Sequence, residues 1–97
     1  MAVGMIATLR VNDGRQADFE AAFAKMQEAV KADEPGCLLY SLCRDRDDAT
    51  TYRVMEQYSD DDAVKVHGKS DGFKAAAAGL AGVMAGAPEI VFVEIVS

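Results

Sequence analysis

Apolar side chains alternate along the first stretch of the chain. Val3, Met5, Ala7, Leu9 and Val11 fall on one face of an extended backbone, with Ile6, Thr8 and Arg10 on the other; this is the two-residue period of a strand. Asn12-Asp13-Gly14 supplies turn chemistry and ends it. From Arg15 the period lengthens, and Phe19, Phe23, Met26 and Val30 form one apolar stripe of a helix. That helix stops before Pro35, because the residue preceding a proline is pushed out of the helical region. Glu34-Pro35-Gly36 therefore reads as a stop and a turn. Cys37 to Cys43 reads as a second strand and Thr51 to Tyr58 as a third, joined as a hairpin by the polar segment Arg44–Thr50.

Ser59 or Asp60 caps the next helix, and the aspartates that follow suit its positive end. Gly68 is expected to interrupt this helix just after His67. A further helical piece runs from about Ser70, with Ser70 and Asp71 as cap candidates, through the alanines until Pro88 closes it. Gly79, Gly82 and Gly86 weaken its end. Ile90 to Val96 is the last strand, apolar nearly throughout except at Glu94, as in a strand covered on both faces.

The order βαββαβ is the split βαβ, ferredoxin-like α+β motif, here expected as a single domain spanning residues 1–97. Two helices can cover only one face of such a sheet. The strands nevertheless send apolar residues both ways: Leu38, Tyr40 and Leu42 against Leu39 and the cysteines, Val91 and Val93 against Ile90 and Phe92. An uncovered apolar face marks an interface or a ligand cavity. Two copies pairing sheet to sheet, as a dimeric α+β barrel, would cover it and leave a cavity between each sheet and its helices.

Charge narrows the partners. Asp and Glu number 16 against 10 Lys and Arg, a net charge of -6, and no basic cluster interleaved with aromatics appears. That disfavours nucleic acid and anionic membrane surfaces. The alanine-rich tract 75–87 is too short and too glycine-punctuated to span a bilayer, and no basic region precedes the apolar N-terminal run. A cytoplasmic protein is expected. Cys37 and Cys43, six apart in one strand, are expected on the same face about 20 Å apart. That is beyond disulfide reach, so they read as small buried hydrophobes.

The candidate chemistry sits around the only histidine, His67, since an imidazole is the natural proton-transfer group near neutral pH. Just before its helix, the strand Tyr52-Arg53-Val54-Met55-Glu56-Gln57-Tyr58 carries a carboxylate in an apolar run, and burying one is costly unless something polar needs it. Glu56 shares parity with Tyr52, Val54 and Tyr58. Arg53 is excluded as its partner by parity, leaving a salt bridge to Arg10 or Arg44, or a role orienting His67.

Three stretches carry a resemblance: Glu34-Pro35-Gly36-Cys37-Leu38-Leu39-Tyr40, then Glu56-x-Tyr58-Ser59-Asp60, then His67-x-x-Ser70-x-x-Phe73. Together they resemble the antibiotic biosynthesis monooxygenase family, in its quinol-monooxygenase-like branch of small dimeric barrels. The resemblance implies a homodimer that uses no metal or flavin cofactor and oxygenates a small aromatic substrate, a quinol or polycyclic phenol, with O2. His67 becomes the candidate base, Glu56 its catalytic partner, and Tyr40, Tyr58 and Phe73 the substrate wall. The family usually has tryptophan at the position of Tyr58. Its heme-degrading members combine that tryptophan with a histidine and a first-strand asparagine; only the histidine is matched here, so heme degradation is not implied. Two other readings stay open on the same fold: a non-catalytic ligand-binding or stress-response barrel, and a cofactor-free isomerase or lactone-handling enzyme using the same base.

Overall fold

The computed structural model describes residues 2–69, 74–75 and 77–97. Strand β1 (Val3–Arg10), helix α1 (Gln16–Asp33), strands β2 (Cys37–Arg44) and β3 (Thr51–Tyr58), helix α2 (Asp61–Lys69) and strand β4 (Glu89–Glu94) follow in that order, with a short 3-10 turn at Ala78–Leu80. The strands form one antiparallel sheet in the order β2-β3-β1-β4. This is the expected ferredoxin-like α+β fold. No described helix is long and apolar enough to cross a membrane.

Helix α1 buries the stripe that its spacing predicted, Phe19, Phe23, Met26 and Val30. It covers the sheet face built from Ala7 and Leu9 of β1 and Tyr52 and Val54 of β3, with Val11 and Val83 completing the core. Asp60 caps α2, its Oδ1 accepting the Ala63 N–H at 2.9 Å, so one of the two predicted caps is selected. The helix then runs through Gly68 to Lys69 rather than breaking after His67, because a glycine costs only about 1 kcal/mol within a helix. Ser70, Asp71 and Phe73, part of the expected second helical piece, lie outside the described residues. Beyond them Lys74, Ala75 and Ala77 are helical, and the chain turns at Gly82, whose φ of 79° suits glycine.

Two strand expectations are corrected. A bulge in β2 leaves Leu38 without a partner: Cys37 pairs with Tyr58 and Leu39 with Gln57. The extra residue shifts parity, so Cys37 shares the inner face with Tyr58 while Cys43, opposite Arg53, lies on the outer one. The cysteines are thus on opposite faces, and both are free. Strand β4, read as covered on both faces, is an edge strand with every residue exposed. Ile6, Leu39, Met55, Val91 and Val93 leave the outer sheet face apolar and open, as the split of apolar residues between faces required.

Candidate active site

Helix α1 ends at a residue that the turn signal had hidden. Glu34 donates its backbone N–H to the Val30 carbonyl, and Pro35 bars it from continuing the helix. Its φ and ψ of -128° and 76° turn the chain, and the residue is buried at 3% exposure. Gly36 then lets α2 come close. A Cβ there would lie 2.7 Å from the Cβ of Ala63, while the Ser59 N–H is bonded to the Gly36 carbonyl at 2.9 Å. His67 is four residues beyond Ala63 and so on the same side of α2. It meets Glu34, with Nδ1 2.8 Å from Oε1.

A carboxylate oxygen accepts, so the hydrogen bond to Glu34 assigns the His67 proton to Nδ1. The other ring nitrogen, Nε2, faces Glu56 at 3.8 Å from Oε1. The same oxygen accepts the Tyr58 hydroxyl at 2.5 Å. Tyr40 and Tyr58 flank the imidazole, with ring centroids 5.6 and 5.4 Å from it. Glu56 therefore has neither arginine foreseen for it: Arg10 pairs with Glu89 at 3.1 Å, and Arg44 lies beside the Tyr52 hydroxyl.

Burial pushes the Glu56 carboxyl above its ordinary range, the Tyr58 hydroxyl and His67 pull it back, and Glu34 adds to the rise. Burial also raises the Tyr58 and Tyr40 phenols, with nearby carboxylates adding to it. Both tyrosines are therefore neutral donors rather than bases. The Cys37 thiol is likewise raised by burial and by Glu34 and Glu56, so it is no activated nucleophile.

The Glu56 shift has a measurable consequence. The folded protein holds this proton more tightly than the unfolded chain, so its contribution is complete below the ordinary carboxylate range and is lost as pH rises through the raised value. Glu56→Gln keeps an acceptor for Tyr58 and cannot ionise. Thermal melts from pH 4 to pH 8 should show this variant more stable than the parent at pH 7, the gap closing toward pH 4. A gap independent of pH would refute this.

Between the sheet and the helices lies a cavity of about 440 Å³, within the size range of small-molecule sites. Of its described lining residues only Tyr40, Glu56 and His67 carry polar side chains, and the rest are apolar or glycine, including Phe23, Met26, Leu80, Ile90 and Phe92. No lysine or arginine is among them. The structure thus brings His67, Glu56 and Tyr40 to the cavity wall. Tyr58 is fully buried and stands behind Glu56 rather than in that wall, while Phe73 falls outside the described residues. Among the described residues no group of three or more His, Cys, Asp or Glu is placed to hold a metal ion.

A model of the family described as antibiotic biosynthesis monooxygenase matches residues 2–79. The chain belongs to this family. Among solved structures, a Caulobacter crescentus CB15 protein provisionally named an antibiotic biosynthesis monooxygenase is 44% identical, with a TM-score of 0.94 over 99% of this chain and 91% of that one. SnoaB of Streptomyces nogalater, a cofactor-independent oxygenase, is 25% identical, with a TM-score of 0.85 over 99% of this chain and 94% of its own. A Nitrosomonas europaea protein of the same provisional name, at 19% identity and a TM-score of 0.87 over the whole of both chains, shares the fold. No curated protein matches. Glu34, absent from the candidate residues read from the sequence, is the site residue that the geometry of this family member adds.

Proposed function

We propose that the chain is a cofactor-independent monooxygenase that oxidises a quinol or polycyclic phenol with O2. The observation that carries this reading is the polarity of the cavity. Its wall is apolar apart from Tyr40, Glu56 and His67, which lie together around a histidine whose Nδ1 is held by a buried carboxylate. A planar aromatic would lie against the apolar walls and present one hydroxyl to that polar group. His67 Nε2 takes the hydroxyl proton, and Glu34 stabilises the imidazolium that forms. Glu56, held by Tyr58, accepts from a second hydroxyl of the ring.

The resulting anion is electron-rich enough to pass electrons to O2. One oxygen atom ends on the ring and the other leaves as water: a quinol and O2 give a hydroxyquinone and H2O. The substrate supplies all four electrons, two from the quinol-to-quinone change and two from the C–H bond that becomes C–OH. SnoaB, a cofactor-independent oxygenase of similar structure, supports the cofactor-free form of the reaction. The test is oxygen uptake by protein stripped of metal and flavin with a panel of benzo- and naphthohydroquinones. No binding and no uptake above autoxidation would sink the reading. Turnover of a phenolic substrate without O2 consumption would replace it with an isomerase.

The active unit is a homodimer closed through the outer sheet faces. Supporting this, the apolar positions Ile6, Leu39, Met55, Val91 and Val93 stand open on one side of the sheet, and an open apolar face marks an interface. Met55 lies near the middle of that face, paired with Ile6 on one side and Ser41 on the other. Light scattering should give twice the 10.3 kDa chain mass for the parent. Met55→Lys should give the single-chain mass, because it buries an unpaired charge. A monomeric parent at tens of micromolar would count against the dimer.

A further inference from the structure

Every lysine and arginine of this protein stands on its surface. The chain has 10 of them; all are among the described residues and all are exposed. Arg10, Arg15 and Arg53 are paired with carboxylates there. None of them lines the cavity beside His67. Among the described lining residues, His67 is therefore the one able to carry a positive charge. It is placed between two carboxyl groups, 2.8 Å from Glu34 and 3.8 Å from Glu56.

A charge taken out of water is tolerable only with a partner. The reaction proposed above makes one negative charge, on the substrate oxygen that loses its proton, and in the same step makes the imidazolium that balances it. An acid group on the substrate would bring a second negative charge against an apolar wall and beside Glu56, with no cation left to meet it. An uncharged substituent of the same shape escapes that cost.

We propose that this cavity selects its aromatic ligand by charge: it takes an uncharged phenol or hydroquinone and excludes one that carries an ionised acid group, however well the ring fits. The choice of an aromatic ligand rests on the proposed function, and the selection narrows its substrates to those whose acid groups are absent or masked as esters or amides. The exclusion is a property of binding and does not require turnover. It is also reversible by design. Phe92 forms part of the wall on edge strand β4, and its 59% exposure leaves room for a lysine whose stem lies along that wall.

The probes are 6-hydroxy-2-naphthoate and its amide, which has the same shape without the charge. Both fluoresce, and the protein, used in its native assembly state, has no tryptophan to interfere. In equilibrium titrations at pH 8 the amide should bind at least about tenfold more tightly than the acid; a smaller ratio, or no saturable binding of either, would overturn the proposal. Phe92→Lys should strengthen binding of the acid more than that of the amide, and an unchanged ratio in the folded variant would count equally against it. If that variant fails to fold, the ratio on the parent still decides. Selective binding of the amide without oxidation of any hydroquinone would sink the proposed function and leave the charge selection standing. Turnover of a carboxylated hydroquinone as fast as its amide would do the reverse.

Discussion

His67→Ala is expected to lower kcat for a hydroquinone about 10²–10⁴-fold, the usual contribution of a positioned proton-transfer group, while substrate binding changes little. The cavity is walled mainly by apolar side chains, and these remain when the imidazole is removed, so the binding surface survives and the base does not. An anaerobic titration separates the two. The parent should develop the absorbance of the substrate anion on mixing, and the variant should bind the same ligand without it. Glu34→Gln should fall between them, since it leaves the base and weakens the group that orients it. The double variant should be no worse than His67→Ala alone, because residues that act as a unit are not additive. A kcat for His67→Ala within threefold of the parent, in protein that melts normally, would remove His67 from the chemistry.

Glu34 lies nearer to His67 than Glu56 does, at 2.8 Å from Nδ1 against 3.8 Å from Nε2. Glu56 was legible in the sequence because a carboxylate in an apolar strand is conspicuous. Glu34 was not, because the proline and glycine after it already explained the segment as a turn. One physical signal was available. An acidic side chain in the last turn of a helix opposes the helix dipole, and Asp33 and Glu34 both sit at that end of α1. An unfavourable residue at such a position is a reason to ask what it meets in the folded chain.

The rest of the mismatch also has local causes. The period-two reading of β2 failed at Leu38 because a single bulge reverses every position on one side of it, and nothing in Cys37-Leu38-Leu39 marks a bulge. By itself the continuous apolar run of β4 predicts burial on both faces. It instead spans an edge strand whose Ile90 and Phe92 side chains line the cavity while Val91 and Val93 continue the open sheet face. Apolar character on both faces was legible; which neighbour covers each face is a tertiary property. Where one period held without interruption, in β1, α1 and β3, faces and boundaries agreed with the structure to within a residue.

That agreement has its largest energetic consequence at Phe19. Its side chain is wholly buried, with the ring 4.6 Å from that of Tyr52 and 5.8 Å from that of Phe23, so it joins α1 to β3. Phe23 lines the cavity beside His67 and Phe19 does not. Phe19→Ala therefore leaves an internal void that no ligand fills, and the cost should be about 3–5 kcal/mol. Against a total stability of roughly 5–15 kcal/mol, that is enough to bring the domain near its unfolding threshold. For a domain of this size each kcal/mol moves Tm by about 4–8 °C, so melting should begin well below that of the parent. Phe23→Ala removes a ring of the same size from the cavity wall, where a bound aromatic can occupy part of the space. Saturating hydroquinone should thus restore part of the Tm lost in Phe23→Ala and add to Phe19→Ala only what it adds to the parent. Equal recovery in both variants would mean that the cavity and the core are not the separate compartments described.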